Sequence, residues 1–91
     1  MRIIYLHLGQ GTVVNYNTVV GIFDMDTSTV SKFTRNFLNK AEKNGEVITI
    51  TYELPKSFVL CKGKNERKRK IFLSQISSST LVKRSGFIDN L

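Results

Sequence analysis

Tryptophan is absent, and proline, cysteine and histidine occur once each in these 91 residues. A lone cysteine, Cys61, excludes an intrachain disulfide. It lies in an apolar run, where a thiol behaves as a small hydrophobe. One histidine and one cysteine far apart in the chain make no zinc-type ligand set, so no metal is expected. His7 sits in a strand-like segment among apolar neighbours and reads as structural rather than catalytic. Gly9-Gln10-Gly11 lacks the third glycine and following helix of a dinucleotide fingerprint, and no Walker-type Gly-Lys-Ser/Thr occurs. No serine is placed as in a nucleophile elbow. These absences point away from an enzyme and from any cofactor or small-molecule substrate. No run approaches the ~20 apolar residues of a membrane span. The first apolar stretch is too short for a signal peptide and has no cleavage site. A cytoplasmic protein without a membrane partner is the expectation.

The length suits one domain, residues 1–91, since two halves would each be too short to bury a core. A strand is predicted over residues 3–8, then a turn at Gly9-Gln10-Gly11 and a short strand from Thr12. Asn15-Tyr16-Asn17 interrupts, and residues 18–23 are β-branched and strand-like. The period then changes. Val30, Phe33, Phe37, Leu38 and Ala41 mark one face of a helix over about residues 28–43. Lys32, Arg35, Asn36, Asn39, Lys40 and Lys43 take the other face, as on any soluble amphipathic helix. Asp26, Thr27 and Ser28 offer N-cap oxygens, and Asn44-Gly45 is a stop. Strands follow over residues 46–52, 57–61 and 71–76. Ser77-Ser78-Ser79 introduces a short helix from Thr80 to about Ser85, stopped by Gly86. The order β-β-β-α-β-β-β-α predicts an α+β fold: a small, mainly antiparallel sheet with one long and one short C-terminal helix packed on one face.

Acidic residues are scarce, seven against fourteen basic ones, for a net charge of +7. The imbalance is local. Lys56, Lys62, Lys64, Arg67, Lys68, Arg69 and Lys70 face only Glu66 within residues 56–70, so that stretch alone carries +6. Such runs are often no more than solvated loops that keep a protein soluble. This concentration, on a hairpin loop with Gly63 and Asn65 as turn residues, points instead to a polyanion. Each phosphate neutralised releases counterions, so about five contacts would give a log–log salt slope near −4.5 on duplex DNA.

Several segments are familiar together: Tyr5-Leu6-His7-Leu8-Gly9, Val20-Gly21-Ile22-Phe23-Asp24, Leu54-Pro55-Lys56-Ser57-Phe58-Val59, and Ile76-Ser77-Ser78-Ser79-Thr80-Leu81-Val82-Lys83-Arg84. In this order and spacing they resemble the bacterial DUF370 family, and within it the RemB branch of extracellular matrix regulators, over nearly the whole chain. The resemblance implies a DNA-binding transcription regulator of biofilm matrix genes. The sister branch, RemA, is similar to the LytTR type of DNA-binding domain and forms a ring of identical subunits with a basic rim. A LytTR-like homo-oligomer on double-stranded DNA is what the analogy implies here. One departure matters. RemA-like sequences carry an Arg-Arg-Thr-Arg run where this chain has Glu53-Leu54-Pro55-Lys56, so only Lys56 keeps a charge there. The family's contact residues do not carry over as a set, and the 62–70 loop becomes the main candidate, with Lys83 and Arg84 in support. Two further classes stay open. One is an oligomeric protein-interaction module that uses exposed strands or the tail at Phe87, Ile88 and Leu91. The other is RNA binding, although no aromatic stacking platform stands out.

Overall fold

Alternation governs the first strand. In β1 (Tyr5–Gly9), Leu6 and Leu8 point inward while Tyr5 and His7 point out. His7 therefore faces solvent rather than its apolar sequence neighbours, because strand side chains alternate strictly. The computed structural model describes residues 4–25 and 31–89, the last five by backbone alone. The tight reversal after β1 uses three left-handed residues in succession, Gly9 (φ 99), Gln10 (φ 51) and Gly11 (φ 73). It returns the chain as β2 (Thr12–Asn15), antiparallel to β1. Asn15 then caps a 3-10 turn, its side-chain oxygen accepting from the Asn17 amide at 2.9 Å.

β3 (Val19–Asp24), β4 (Val47–Thr49), β5 (Ser57–Cys61) and β6 (Lys70–Ser74) form a second sheet in the order β3-β5-β6-β4. β3·β5 and β5·β6 pair antiparallel, and β4·β6 pairs parallel. The mainly antiparallel α+β prediction holds. β4 and β6 both end earlier than their apolar patterns suggest, and side-chain hydroxyls explain it. Beyond β4, the Thr51 hydroxyl donates to the Gln75 side-chain oxygen at 3.0 Å and accepts from the Glu53 amide at 3.1 Å. Ser74 likewise donates to the Leu8 carbonyl at 2.7 Å and accepts from the Ile76 amide at 3.0 Å. The two bonds from amides two residues on, Glu53 to Thr51 and Ile76 to Ser74, are local and compete with the strand ladder.

α1 (Lys32–Lys43) connects β3 to β4. Ser31 caps it, accepting from the Thr34 amide at 3.1 Å. The predicted caps Asp26, Thr27 and Ser28 lie outside the described residues, as does Val30. Asn44 and Gly45 stop the helix, with Gly45 at φ 72. α2 (Ser78–Asp89) begins behind Ser77, whose hydroxyl accepts from the Thr80 amide at 3.3 Å. It matches α1 in length and runs through Gly86, so neither the short helix nor the glycine stop is found. One glycine inside a helix costs only about 1 kcal/mol, and a stop also needs the left-handed φ that Gly45 has.

The helices do not share one face. α1 covers Phe58, Ile71, Leu60 and Leu73 with Phe37, Leu38 and Ala41. The alternate residues of the same strands, Val59, Cys61 and Phe72, meet Leu6, Leu8 and Val14 of the β1–β2 hairpin and Leu81 of α2. Hence there are three layers, with β5 buried on both faces. Helical spacing identifies an apolar face but not the layer that receives it. Phe33, expected on the buried face of α1, is 88% exposed. It stands over a groove of about 340 Å³ between α1 and β3, lined by Phe23, Phe37, Phe58 and Leu60. Phe23 stacks on Phe58 at 4.8 Å between ring centroids.

Candidate nucleic-acid interface

The basic loop joins β5 to β6, so it projects from the end of the sheet where α1 also ends. Its base is held on one side by the Lys62 amide, which donates to the Thr18 carbonyl at 2.8 Å. Its first turn closes with the Glu66 amide donating to the Gly63 carbonyl at 3.2 Å. A Cβ at Gly63 would lie 2.8 Å from the Glu66 carboxyl group, the far end of an exposed side chain that would have to swing away.

The seven predicted contact residues do not form one set. Lys62, Lys64 and Arg67 are exposed, and no described residue engages their side chains. Lys68 is exposed, but its ammonium donates to the Asn44 carbonyl at the end of α1, 3.3 Å away. Lys70 lies 3.9 Å from Glu66, both about half exposed. Lys56 is exposed at the opposite end of β5, where its amide donates to the Ser74 carbonyl. A five-residue strand at ~3.3 Å per residue separates it from the loop by roughly 17 Å. Lys83 and Arg84 are exposed on α2, in the layer opposite α1, and Arg84 donates to the His7 carbonyl at 3.2 Å.

Arg69 differs most. Its backbone amide donates to the Glu46 carboxylate at 3.2 Å, and its guanidinium does so twice more at 3.4 Å. The same guanidinium lies 5.1 Å above the Phe37 ring, a cation–π position. Glu46 itself is 8% exposed. Its amide donates to the Ala41 carbonyl and its carbonyl accepts from the Ile71 amide. The Arg69 hydrogen bonds hold the Glu46 carboxyl below its ordinary value of 4.5, against the opposing effect of burial. Glu46 thus clasps the returning arm of the loop to the end of α1. Sequence reasoning missed this residue. The only signal was an acid directly after the helix stop, heading an otherwise uncharged strand.

At the base of the loop, a cleft of about 230 Å³ runs between Val13, Thr18, Cys61 and the Glu66–Lys70 pair. Cys61 is buried, as expected, and burial pushes its thiol above the usual range. Among the described residues no three histidine, cysteine, aspartate or glutamate side chains gather as metal ligands, and no helix is long and apolar enough to cross a membrane.

The chain matches a family model described as "RemA-like: Extracellular matrix regulatory protein A-like" over residues 5–84. It is also 36% identical over 84 residues to "Extracellular matrix regulatory protein B" of Bacillus subtilis (strain 168), covering 92% of this chain and 93% of that protein.

Proposed function

The chain belongs to the RemA-like family of extracellular matrix regulatory proteins, and on that premise we propose that it is a non-enzymatic, cytoplasmic DNA-binding transcription regulator of matrix genes. It works as a homo-oligomer, with the 62–70 loop on the phosphate backbone of double-stranded DNA. The observation that carries this reading is the trio of unengaged cations, Lys62, Lys64 and Arg67, on a loop whose two ends are fixed to the sheet and to α1. Fixing the loop beforehand lowers the ordering cost of binding. Arg69 and Lys70 are left out of the contact set by their carboxylate partners, and Lys56 by distance. With Lys68 added to the trio, about four contacts give a loop contribution near −3.6 to the log–log salt slope. In an oligomer, several such patches multiply into one binding surface through effective concentration.

The test is an anisotropy titration on duplex DNA across a salt series, with Lys64→Ala and Arg67→Ala combined. Both side chains are unengaged, so the fold is expected to stand. Losing two phosphate contacts should flatten the slope by about 1.8 and weaken binding about 60-fold at 0.1 M salt. Unchanged affinity would remove the loop from the mechanism.

A second reading is an oligomeric protein-interaction module without nucleic acid. The observation that favours it is the aromatic groove, with Phe33 and Phe23 exposed beside it. A protein that is oligomeric by light scattering yet ignores DNA and RNA at low salt would establish it.

A further inference from the structure

The solvent side of α1 carries Lys32, Arg35, Asn36, Asn39, Lys40 and Lys43, all exposed. Steps of three and four residues place them in one stripe. Glu42 lies on its flank rather than within it. A polar stripe alone is ordinary for a surface helix. Three observations distinguish this one.

The first is order along the stripe. Lysines occupy its two ends, Lys32 at one and Lys40 and Lys43 at the other. Arg35, Asn36 and Asn39 occupy the middle. From Lys32 to Lys43 the helix advances roughly 16 Å at 1.5 Å per residue. The major groove of B-DNA is about 12 Å wide and admits an α-helix. End lysines at that separation reach the two phosphate strands that flank the groove, and the middle residues then face its floor.

The second is chemistry. Arginine pairs bidentately with guanine, and asparagine with adenine, along the groove edge. The loop offers chiefly lysine and arginine to phosphates, which position a protein but carry no sequence information. No described residue engages the Arg35, Asn36 or Asn39 side chains. The third is placement. The Glu46–Arg69 clasp and the Lys68–Asn44 bond fix the phosphate-binding loop beside the C-terminal end of this helix. The loop therefore lies beside the end of the helix that carries Lys40 and Lys43, although the two stretches are well apart in sequence.

We propose that α1 enters the major groove of duplex DNA, with Arg35, Asn36 and Asn39 against base edges and Lys32, Lys40 and Lys43 on the flanking phosphates. This rests on the DNA-binding reading above and names the element that selects the sequence.

The experiment is binding-site selection from a randomised duplex pool by the full chain, followed by titrations on the enriched and a scrambled duplex. The variant is Asn36→Ala with Asn39→Ala. Both side chains are exposed, and alanine favours the helix; circular dichroism checks the fold. The wild type should enrich a site. The double variant should lose at least about fivefold of preference per asparagine, with its salt slope unchanged. Lys32→Ala should do the reverse, lowering the slope by about 0.9 at constant preference. Equal preference by the double variant would overturn the role of α1. So would a wild type that binds all duplexes alike while the loop variants still weaken binding; the DNA reading would then survive as phosphate contact only. A wild type that binds no duplex at low salt would sink both.

Discussion

The two halves of one basic loop differ more than their composition suggests. Lys62, Lys64 and Arg67 are unengaged, whereas Lys68, Arg69 and Lys70 are each opposed by an oxygen, from Asn44, Glu46 and Glu66 respectively. Each half carries three cations, but the charge available to a partner differs. A buried carboxylate can cancel a cation and at the same time position it, and only the second effect shows in the shape of the loop. The count of cations in a run is therefore an upper limit on its contacts.

The largest test of this difference is Glu46→Gln. It removes the charge that holds Arg69 while keeping a similar shape. Thermal unfolding should show the greatest loss of Tm among these changes, since the buried Glu46 carboxylate accepts three hydrogen bonds from the part-exposed Arg69. The salt slope of DNA binding should steepen by up to about 0.9 as Arg69 joins the contact set. A slope that stays fixed would mean Arg69 remains held, chiefly by Phe37. The effect on stability has a defined pH window. Glu46 titrates below 4.5 in the folded protein, so its contribution is complete above that value and is lost as pH falls through the lower folded value. The Tm gap between wild type and Glu46→Gln should close on acidification, and a gap that widens would contradict the clasp.

A smaller effect is expected from Glu66→Gln. Its pair with Lys70 is surface-exposed, so stability should change by less than about 1 kcal/mol. Lys70 would gain freedom and DNA affinity should rise modestly in the same titration. A large stability loss would show that Glu66 anchors the turn at Gly63 rather than merely opposing a charge. Smallest is the response of Cys61 to alkylating reagents, read by mass spectrometry. Buried at the root of the free half, with its thiol pushed up, it should stay unmodified at neutral pH until the protein unfolds. Rapid labelling would show that β5 and the loop open locally there.

Much of the architecture was legible because local rules agreed with global ones. β5 was placed residue for residue, and the Asn44-Gly45 stop lies where its chemistry put it. What escaped depends on contacts between residues distant in sequence. Nothing local reveals that Glu46 meets Arg69, 23 positions away, or that Lys68 reaches Asn44, 24 positions away. Phe33 shares the period of the α1 core face but stands over a groove, because period does not report where a neighbouring strand ends. Lys56 joined the candidate set by proximity in sequence, and the length of β5 carries it to the other end of the sheet. The basic loop was visible as a charge. Which of its charges are spent could be seen only in three dimensions.

The strand order β3-β5-β6-β4 has a consequence for how the molecule is made. β3 and β4, the earlier strands along the chain, form the two rims and never touch each other. The strands that join them, β5 and β6, are the last of this sheet to emerge from the ribosome, ahead of α2. During synthesis the first half can close the β1–β2 hairpin and wind α1, but it has no sheet to cover until residues 57–74 arrive. Until then the apolar faces of α1 and β3 stand open to solvent and to neighbouring chains. The same segment carries the basic loop, so the surface proposed to bind DNA is completed in the step that closes the sheet.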